Sequence, residues 1–62
     1  MQKLNTKNIR IRLAVLNKNY TWLAKEMGYT KQYISYIIKY QKAEFANQIA
    51  DILDIDPRLL II

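Results

Sequence analysis

The sequence contains no cysteine and no histidine, and it has one glycine and one proline among its 62 residues. Without cysteine, neither a disulfide nor a thiolate metal site can stabilise the fold. Without histidine, the chain lacks the commonest general base and metal ligand of proteins. The five acidic residues form no paired arrangement, and Ser35 is the only serine. We therefore expect a protein that is not an enzyme and that needs no metal or cofactor.

Long hydrophobic runs and targeting features are also missing. No apolar segment approaches the roughly 18–20 residues that span a bilayer. The amino terminus lacks the charged, apolar and small-residue regions of a secretory signal. We therefore expect a cytoplasmic protein that enters no membrane, and nothing in the sequence predicts a small-molecule ligand.

Negative charge is scarce in the first two-thirds of the chain. Residues 1–42 contain nine Lys or Arg and one acid, a balance of +8, whereas residues 43–62 contain one Arg and four acids, a balance of −3. A basic segment with aromatic residues attracts polyanions such as nucleic acids. A 62-residue chain has room for one small core, so we expect a single domain over residues 1–62.

Apolar residues recur at helical spacing along the chain, and no strand pattern competes with them. The sequence therefore predicts an all-α fold, a compact bundle of four to five short helices. The predicted helices are about Thr6 to Asn17, Tyr20 to Met27, Lys31 to Lys39 or Tyr40, Ala43 to Leu53, and Pro57 to Ile62.

The ends of these helices carry recognisable residues. Asn5 or Thr6 can cap the first helix and Thr30 the third, because their side-chain oxygens accept unpaired N–H groups. Gly28 suits the left-handed position that ends a helix. Asp56 followed by Pro57 is typical of a helix start.

The second and third helices have the spacing of a helix-turn-helix unit. Ala24 is small where two helices cross, Gly28 allows the turn, and Ile34 fills the wedge between the helices. Four further apolar positions fit the same register: Leu23, Met27, Tyr29 and Ile37.

On these residues, 23-LAKEMGYTKQYISYI-37 followed by 45-FANQIADILDIDPRLL-60, the chain resembles the lambda-repressor-like (Cro/C1-type, XRE) helix-turn-helix family. The resemblance covers nearly the whole chain and implies a five-helix DNA-binding domain whose third helix enters the major groove. The family often has a glycine after the third helix and a proline before the fourth. This chain has 40-YQKAE-44 there, with neither.

Helical geometry divides the third helix into an inner and an outer face. With Ile34, Ile37 and Ile38 directed inward, Tyr36 points outward, while Tyr33 and Tyr40 lie on a flank where packing is the expected role. The candidate base-reading residues are Lys31, Gln32, Ser35 and Tyr36. The candidate contacts to the DNA backbone are Lys18, Tyr20, Thr21, Thr30, Lys39, Gln41 and Lys42.

Two further apolar features have open roles. Trp22 falls at a largely exposed position, where packing, DNA backbone contact and a protein partner all stay possible. The apolar chain end could fray or could pair two chains across a two-fold axis. The dimer hypothesis assigns the interface to Leu60, Ile61 and Ile62.

Together these features predict a sequence-specific regulator that binds double-stranded DNA. It would be a small Cro-like repressor, like those of phages and mobile elements, reading a palindromic operator as a homodimer. The alternative is a protein-interaction module of helix-turn-helix shape that binds polymerase, a recombinase or another regulator.

Overall fold

A computed structural model describes residues 2–62 and shows four short α-helices with two 3₁₀ turns. They are α1 (Thr6–Val15), α2 (Tyr20–Met27), α3 (Lys31–Lys39), a first 3₁₀ turn (Ala43–Phe45), α4 (Ala46–Leu53) and a final 3₁₀ turn (Pro57–Leu60). Within the described residues, extended pairing is limited to one isolated bridge between Leu4 and Ile61. The predicted all-α bundle is confirmed. No helix in this part of the chain has the length and apolar character needed to cross a membrane.

Side-chain caps set the starts of three helices. Asn5 accepts the Asn8 N–H at 3.2 Å, and Thr30 Oγ1 accepts the Tyr33 N–H at 3.1 Å. Both caps were predicted from the sequence. A third cap was not, since Asn19 accepts the Trp22 N–H at 2.9 Å and starts α2.

The final 3₁₀ turn begins as predicted, at Asp56 and Pro57. The Asp56 carboxylate accepts hydrogen bonds from the Arg58 side chain and from the Arg58 N–H, which lower the pKa of Asp56 to about 2. The carboxylate therefore stays ionised, the form that caps a helix start most strongly.

The predicted helix ends need three corrections. The first helix stops at Val15, not at Asn17, because Asn17 adopts a left-handed conformation with φ of 58°. The fourth begins as a 3₁₀ turn and becomes α-helical only at Ala46. The last is a 3₁₀ turn that ends at Leu60, because the chain end pairs with the amino-terminal segment instead of continuing the helix.

That pairing ties the two ends of the chain together, and the sequence did not predict it. The Asn5 N–H donates to the Leu60 carbonyl at 2.7 Å, and the Ile62 N–H donates to the Lys3 carbonyl at 2.8 Å. Leu4, between them, is fully buried. The amino-terminal segment is therefore part of the core and not a free arm.

The core is formed by one apolar face from each helix, together with Leu4 and Leu60. Ile38, which was predicted to point inward, is only half-buried at the edge of the core, as are Phe45 and Ile52. The buried residues are Leu4, Ile9, Leu13, Leu23, Ala24, Met27, Ile34, Ile37, Ala46, Ile49, Ala50, Leu53 and Leu60.

Candidate nucleic-acid interface

A tight corner joins α2 to α3. Gly28 ends α2 with φ of 78°, and the next N–H, of Tyr29, donates to the Ala24 carbonyl at 2.8 Å. Met27 and Ile34 are buried on the two sides of this corner. Both helices are thereby held against the core, so the outer face of α3 has a defined orientation. The helix-turn-helix geometry predicted from the sequence is present.

The four candidate base-reading residues all lie on the outer side of α3. Lys31 and Gln32 occupy its first turn, and Ser35 and Tyr36 its second, and all four side chains are exposed. Lys39 continues the same side into the last turn and is also exposed. These residues form one polar surface, hereafter the α3 outer face, with donors and acceptors suited to base edges.

Of the residues predicted to contact the DNA backbone, Lys18, Thr21 and Thr30 are exposed near the starts of α2 and α3. The Thr30 hydroxyl oxygen accepts the Tyr33 N–H, which leaves its own hydrogen free to donate. Exposed donors at a helix start suit phosphate oxygens, because the helix dipole also favours an anion there.

Two residues that were predicted to contact the DNA backbone are instead engaged within the protein. Gln41 has a left-handed φ of 48°, its carbonyl accepts the Leu4 N–H at 3.0 Å, and its Nε2 donates to the Leu4 carbonyl at 3.3 Å. Its amide thus fastens the amino-terminal segment to the end of α3, at the place where the resembled family often has glycine.

Tyr20 is the second such residue. Its hydroxyl is buried and has no hydrogen-bond partner within residues 2–62. Burial raises the pKa of the Tyr20 hydroxyl, and the nearby Arg10 partly opposes this rise. Because the hydroxyl points away from solvent, this side chain is poorly placed to bind a phosphate.

Lys42 is half-buried and lies beside two other side chains. Its Nζ is 5.1 Å from the centre of the Tyr36 ring and 3.7 Å from Glu44 Oε1. The Tyr36 side chain first, and Glu44 to a lesser degree, raise the pKa of the Lys42 ammonium. The group therefore stays charged well above neutral pH.

Aromatic rings form a continuous row along α3, which the sequence reasoning missed. Ring centres are 6.0 Å apart between Tyr33 and Tyr36 and 5.0 Å apart between Tyr36 and Tyr40. The inner end of the row contacts Tyr29 and Phe45, with the Tyr29 and Tyr33 rings 4.8 Å apart. The spacing of tyrosines at 33, 36 and 40 could have revealed this row, since residues three, four and seven apart share a helix face.

Trp22 does not lie at a largely exposed position. It is half-buried against the core, and Lys18 Nζ lies 5.5 Å from the centre of its ring. Packing against the core therefore explains most of the burial of the Trp22 side chain, and Lys18 remains exposed.

One of the predicted dimer residues also needs correction. Leu60 is fully buried in the core, so its side chain is unavailable to a second chain, and Ile61 is half-buried. Ile62 is 67% exposed. A second apolar surface lies elsewhere, in a groove of about 340 Å³ between α1 and the final 3₁₀ turn, hereafter the α1 groove. It is lined by Asn8, Ile11, Arg12, Val15, Ile55 and Leu59.

Comparison with known proteins gives one solved structure of the same fold. It is the crystal structure of a "putative DNA-binding protein" from Bacteroides fragilis, with a TM-score of 0.74 and 28% sequence identity over the full length of both chains. No family model and no curated protein matches this sequence. The lambda-repressor-like family therefore remains a resemblance carried by the helix-turn-helix residues.

Proposed function

We propose that this protein binds double-stranded DNA and regulates transcription, with α3 lying in the major groove. The observation that carries the proposal is the α3 outer face, a row of exposed polar side chains on a helix held firmly by a helix-turn-helix corner. The description of the structurally similar Bacteroides fragilis protein as DNA-binding supports the same conclusion.

The charge distribution supports a polyanionic partner. The balance of +8 in residues 1–42 lies in the part of the chain that forms α1 to α3. Lys18 lies just before α2, and Lys39 and Lys42 lie at the end of α3, where they would neutralise phosphates. Such contacts release counterions, so binding to any duplex should weaken steeply as salt rises.

The α3 outer face offers distinct chemistry for base edges. The Gln32 amide can pair with adenine through two hydrogen bonds, and Lys31 can donate to guanine O6 and N7. Tyr36 can contact a thymine methyl group with its ring or a phosphate with its hydroxyl. Ser35 is compatible with several bases. In this arrangement Thr30 and Thr21 bind phosphates beside the groove.

We further propose that two chains pair through the α1 groove, so that two α3 helices read a palindromic operator. Ile11, Val15 and Leu59 are 52%, 67% and 53% exposed, which is unusual for adjacent large apolar side chains on a small protein. No residue lining the groove belongs to α2 or α3, so pairing there leaves the α3 outer face free. A Cro-like dimer bound in this way would repress by excluding polymerase from the operator.

Selection of bound sequences from random duplex DNA tests the duplex proposal directly. We expect the wild type to select a defined site, and Gln32→Ala to lose preference at one position by about 1–3 kcal/mol. Lys39→Gln should weaken binding to all duplexes alike and lower the salt slope by roughly one. Lys25→Gln, which removes an exposed charge from α2 outside the proposed contacts, is the matched control.

Two results would count against this proposal. If Gln32→Ala selected the same sequences as the wild type, α3 would not be the reading helix. If the wild type shifted no duplex even at low salt, the alternative of a protein-interaction module would be favoured instead.

A further inference from the structure

The tyrosine row, defined as Tyr33, Tyr36 and Tyr40, exposes an unusual amount of aromatic surface. These side chains are 40%, 43% and 59% exposed although each ring contacts its neighbour. Tyr33 is supported from below by Tyr29 and Phe45 at ring distances of 4.8 and 6.1 Å. Within residues 2–62 no element covers the row, so its rings form a supported but open aromatic strip.

The strip lies beside the α3 outer face and overlaps it only at Tyr36. Because successive helical residues are rotated by about 100°, Tyr33 and Tyr40 fall on one side of Tyr36, whereas Gln32 and Lys39 fall on the other. The duplex-reading proposal therefore does not use Tyr33 or Tyr40.

Two ammonium groups accompany the rings. Lys42 Nζ lies 5.1 Å from the Tyr36 ring centre, and Lys39 Nζ lies 5.6 Å from the Tyr40 ring centre. Positive charge next to exposed aromatic side chains is the combination by which proteins bind single-stranded nucleic acids, since bases stack on rings and phosphates contact the cations. An acidic peptide could pair with the ammonium groups but has no bases to stack on the rings, and an uncharged apolar partner would leave both ammonium groups unpaired.

We propose that the tyrosine row binds an unpaired nucleic-acid strand by stacking bases on Tyr33, Tyr36 and Tyr40, with Lys39 and Lys42 contacting its phosphates. The site shares Tyr36, Lys39 and Lys42 with the proposed duplex interface, but it does not depend on duplex reading.

The ring spacing specifies which strands fit best. Ring centres lie 5.0 and 6.0 Å apart, wider than the roughly 3.4 Å between successive bases in a duplex strand. A strand must therefore unstack to place bases against the rings. Thymine strands are flexible and stack weakly, whereas adenine strands resist unstacking, so we expect oligo-dT to bind more tightly than oligo-dA.

The test compares strands of about twelve nucleotides by fluorescence anisotropy. The probes are oligo-dT, oligo-U and an abasic strand of equal length, which keeps the phosphates but has no bases. Tyr40→Leu removes the most exposed ring, and Tyr40→Phe, which keeps it, is the matched control. We expect Tyr40→Leu to weaken oligo-dT binding roughly 5- to 100-fold, to leave abasic binding unchanged, and to leave duplex binding unchanged. Comparison of oligo-dT with oligo-U shows whether DNA or RNA is the preferred source of the strand.

Several outcomes would overturn the proposal. Equal effects of Tyr40→Leu on oligo-dT and on the abasic strand would show that the rings do not stack bases. If Tyr40→Leu changed binding to neither strand, the tyrosine row would serve only to pack the helix. Binding of a polyproline peptide without binding of oligo-dT would make the strip a protein-docking surface. A different outcome, a wild type that binds oligo-dT but no duplex, would refute the duplex proposal and support this one.

Discussion

At the scale of single residues, the four left-handed positions show what sequence can and cannot predict. Gly28, at φ of 78°, was predicted because glycine alone lacks the Cβ that makes this conformation costly. Asn17, Gln41 and Asp54 adopt φ of 58°, 48° and 58° without being glycine. Gln41 is held there by its hydrogen bonds to Leu4, a contact across 37 positions that no local pattern reveals.

A pair of substitutions tests this account of backbone conformation. A Cβ built on Gly28 would meet nothing within 4 Å, so Gly28→Ala should lower the free energy of unfolding only through the left-handed backbone, by about 1–2 kcal/mol. Asp54→Gly, at the equivalent end of α4, should raise it by about 0.5 kcal/mol, since relief of strain is partly offset by chain entropy. Urea denaturation followed by circular dichroism measures both. An unchanged midpoint for Gly28→Ala would mean that the corner does not require a left-handed residue.

At the scale of elements, helix starts were predicted more accurately than helix ends. Asn5, Thr30 and Asp56 cap locally, through bonds to N–H groups two or three residues ahead, so their roles can be predicted from short sequence windows. The prediction of a final helix from Pro57 to Ile62 was wrong, because Leu60 and Ile62 form backbone hydrogen bonds with the amino-terminal segment. Helical periodicity carries no information about such a distant partner.

The cap of α3 allows fold stability to be separated from DNA binding. Thr30→Ala should lower the free energy of unfolding by about 1 kcal/mol, because it leaves the Tyr33 N–H without its partner. Thr30→Asp should keep the cap and the stability, yet weaken duplex binding, because a carboxylate at the start of α3 would repel phosphate. Thr30→Ser is the control that should retain both. Denaturation and gel-shift titrations of the three variants give the answer, and wild-type affinity in Thr30→Asp would show that this helix start does not face the DNA backbone.

At the scale of the whole molecule, the exposure of the candidate site was predicted more completely than that of the surface around it. The exposed positions of Lys31, Gln32, Ser35 and Tyr36 follow from helical periodicity, because their burial depends on one apolar stripe. The apolar surface did not follow, because Leu60 and Leu59 are adjacent in sequence but lie on opposite sides of the final 3₁₀ turn, one fully buried and one 53% exposed. The packing of α1 and α4 against that turn decides which of the two is available to a partner.

That distinction leads to a prediction about assembly. Leu59→Gln replaces an exposed apolar side chain of the α1 groove, whereas Ile62→Gln replaces one at the chain end that is 67% exposed and does not line the groove. If two chains pair through the groove, sedimentation equilibrium should show a concentration-dependent dimer for the wild type and for Ile62→Gln, and a monomer for Leu59→Gln. On a palindromic duplex Leu59→Gln should lose cooperative binding while its affinity for a single half-site stays unchanged, because the α3 outer face is untouched.

The reverse pattern, with Ile62→Gln monomeric and Leu59→Gln dimeric, would move the interface to the chain end. A wild type that is monomeric at every concentration, both free and on DNA, would remove the dimer and leave half-site reading as the mode of binding.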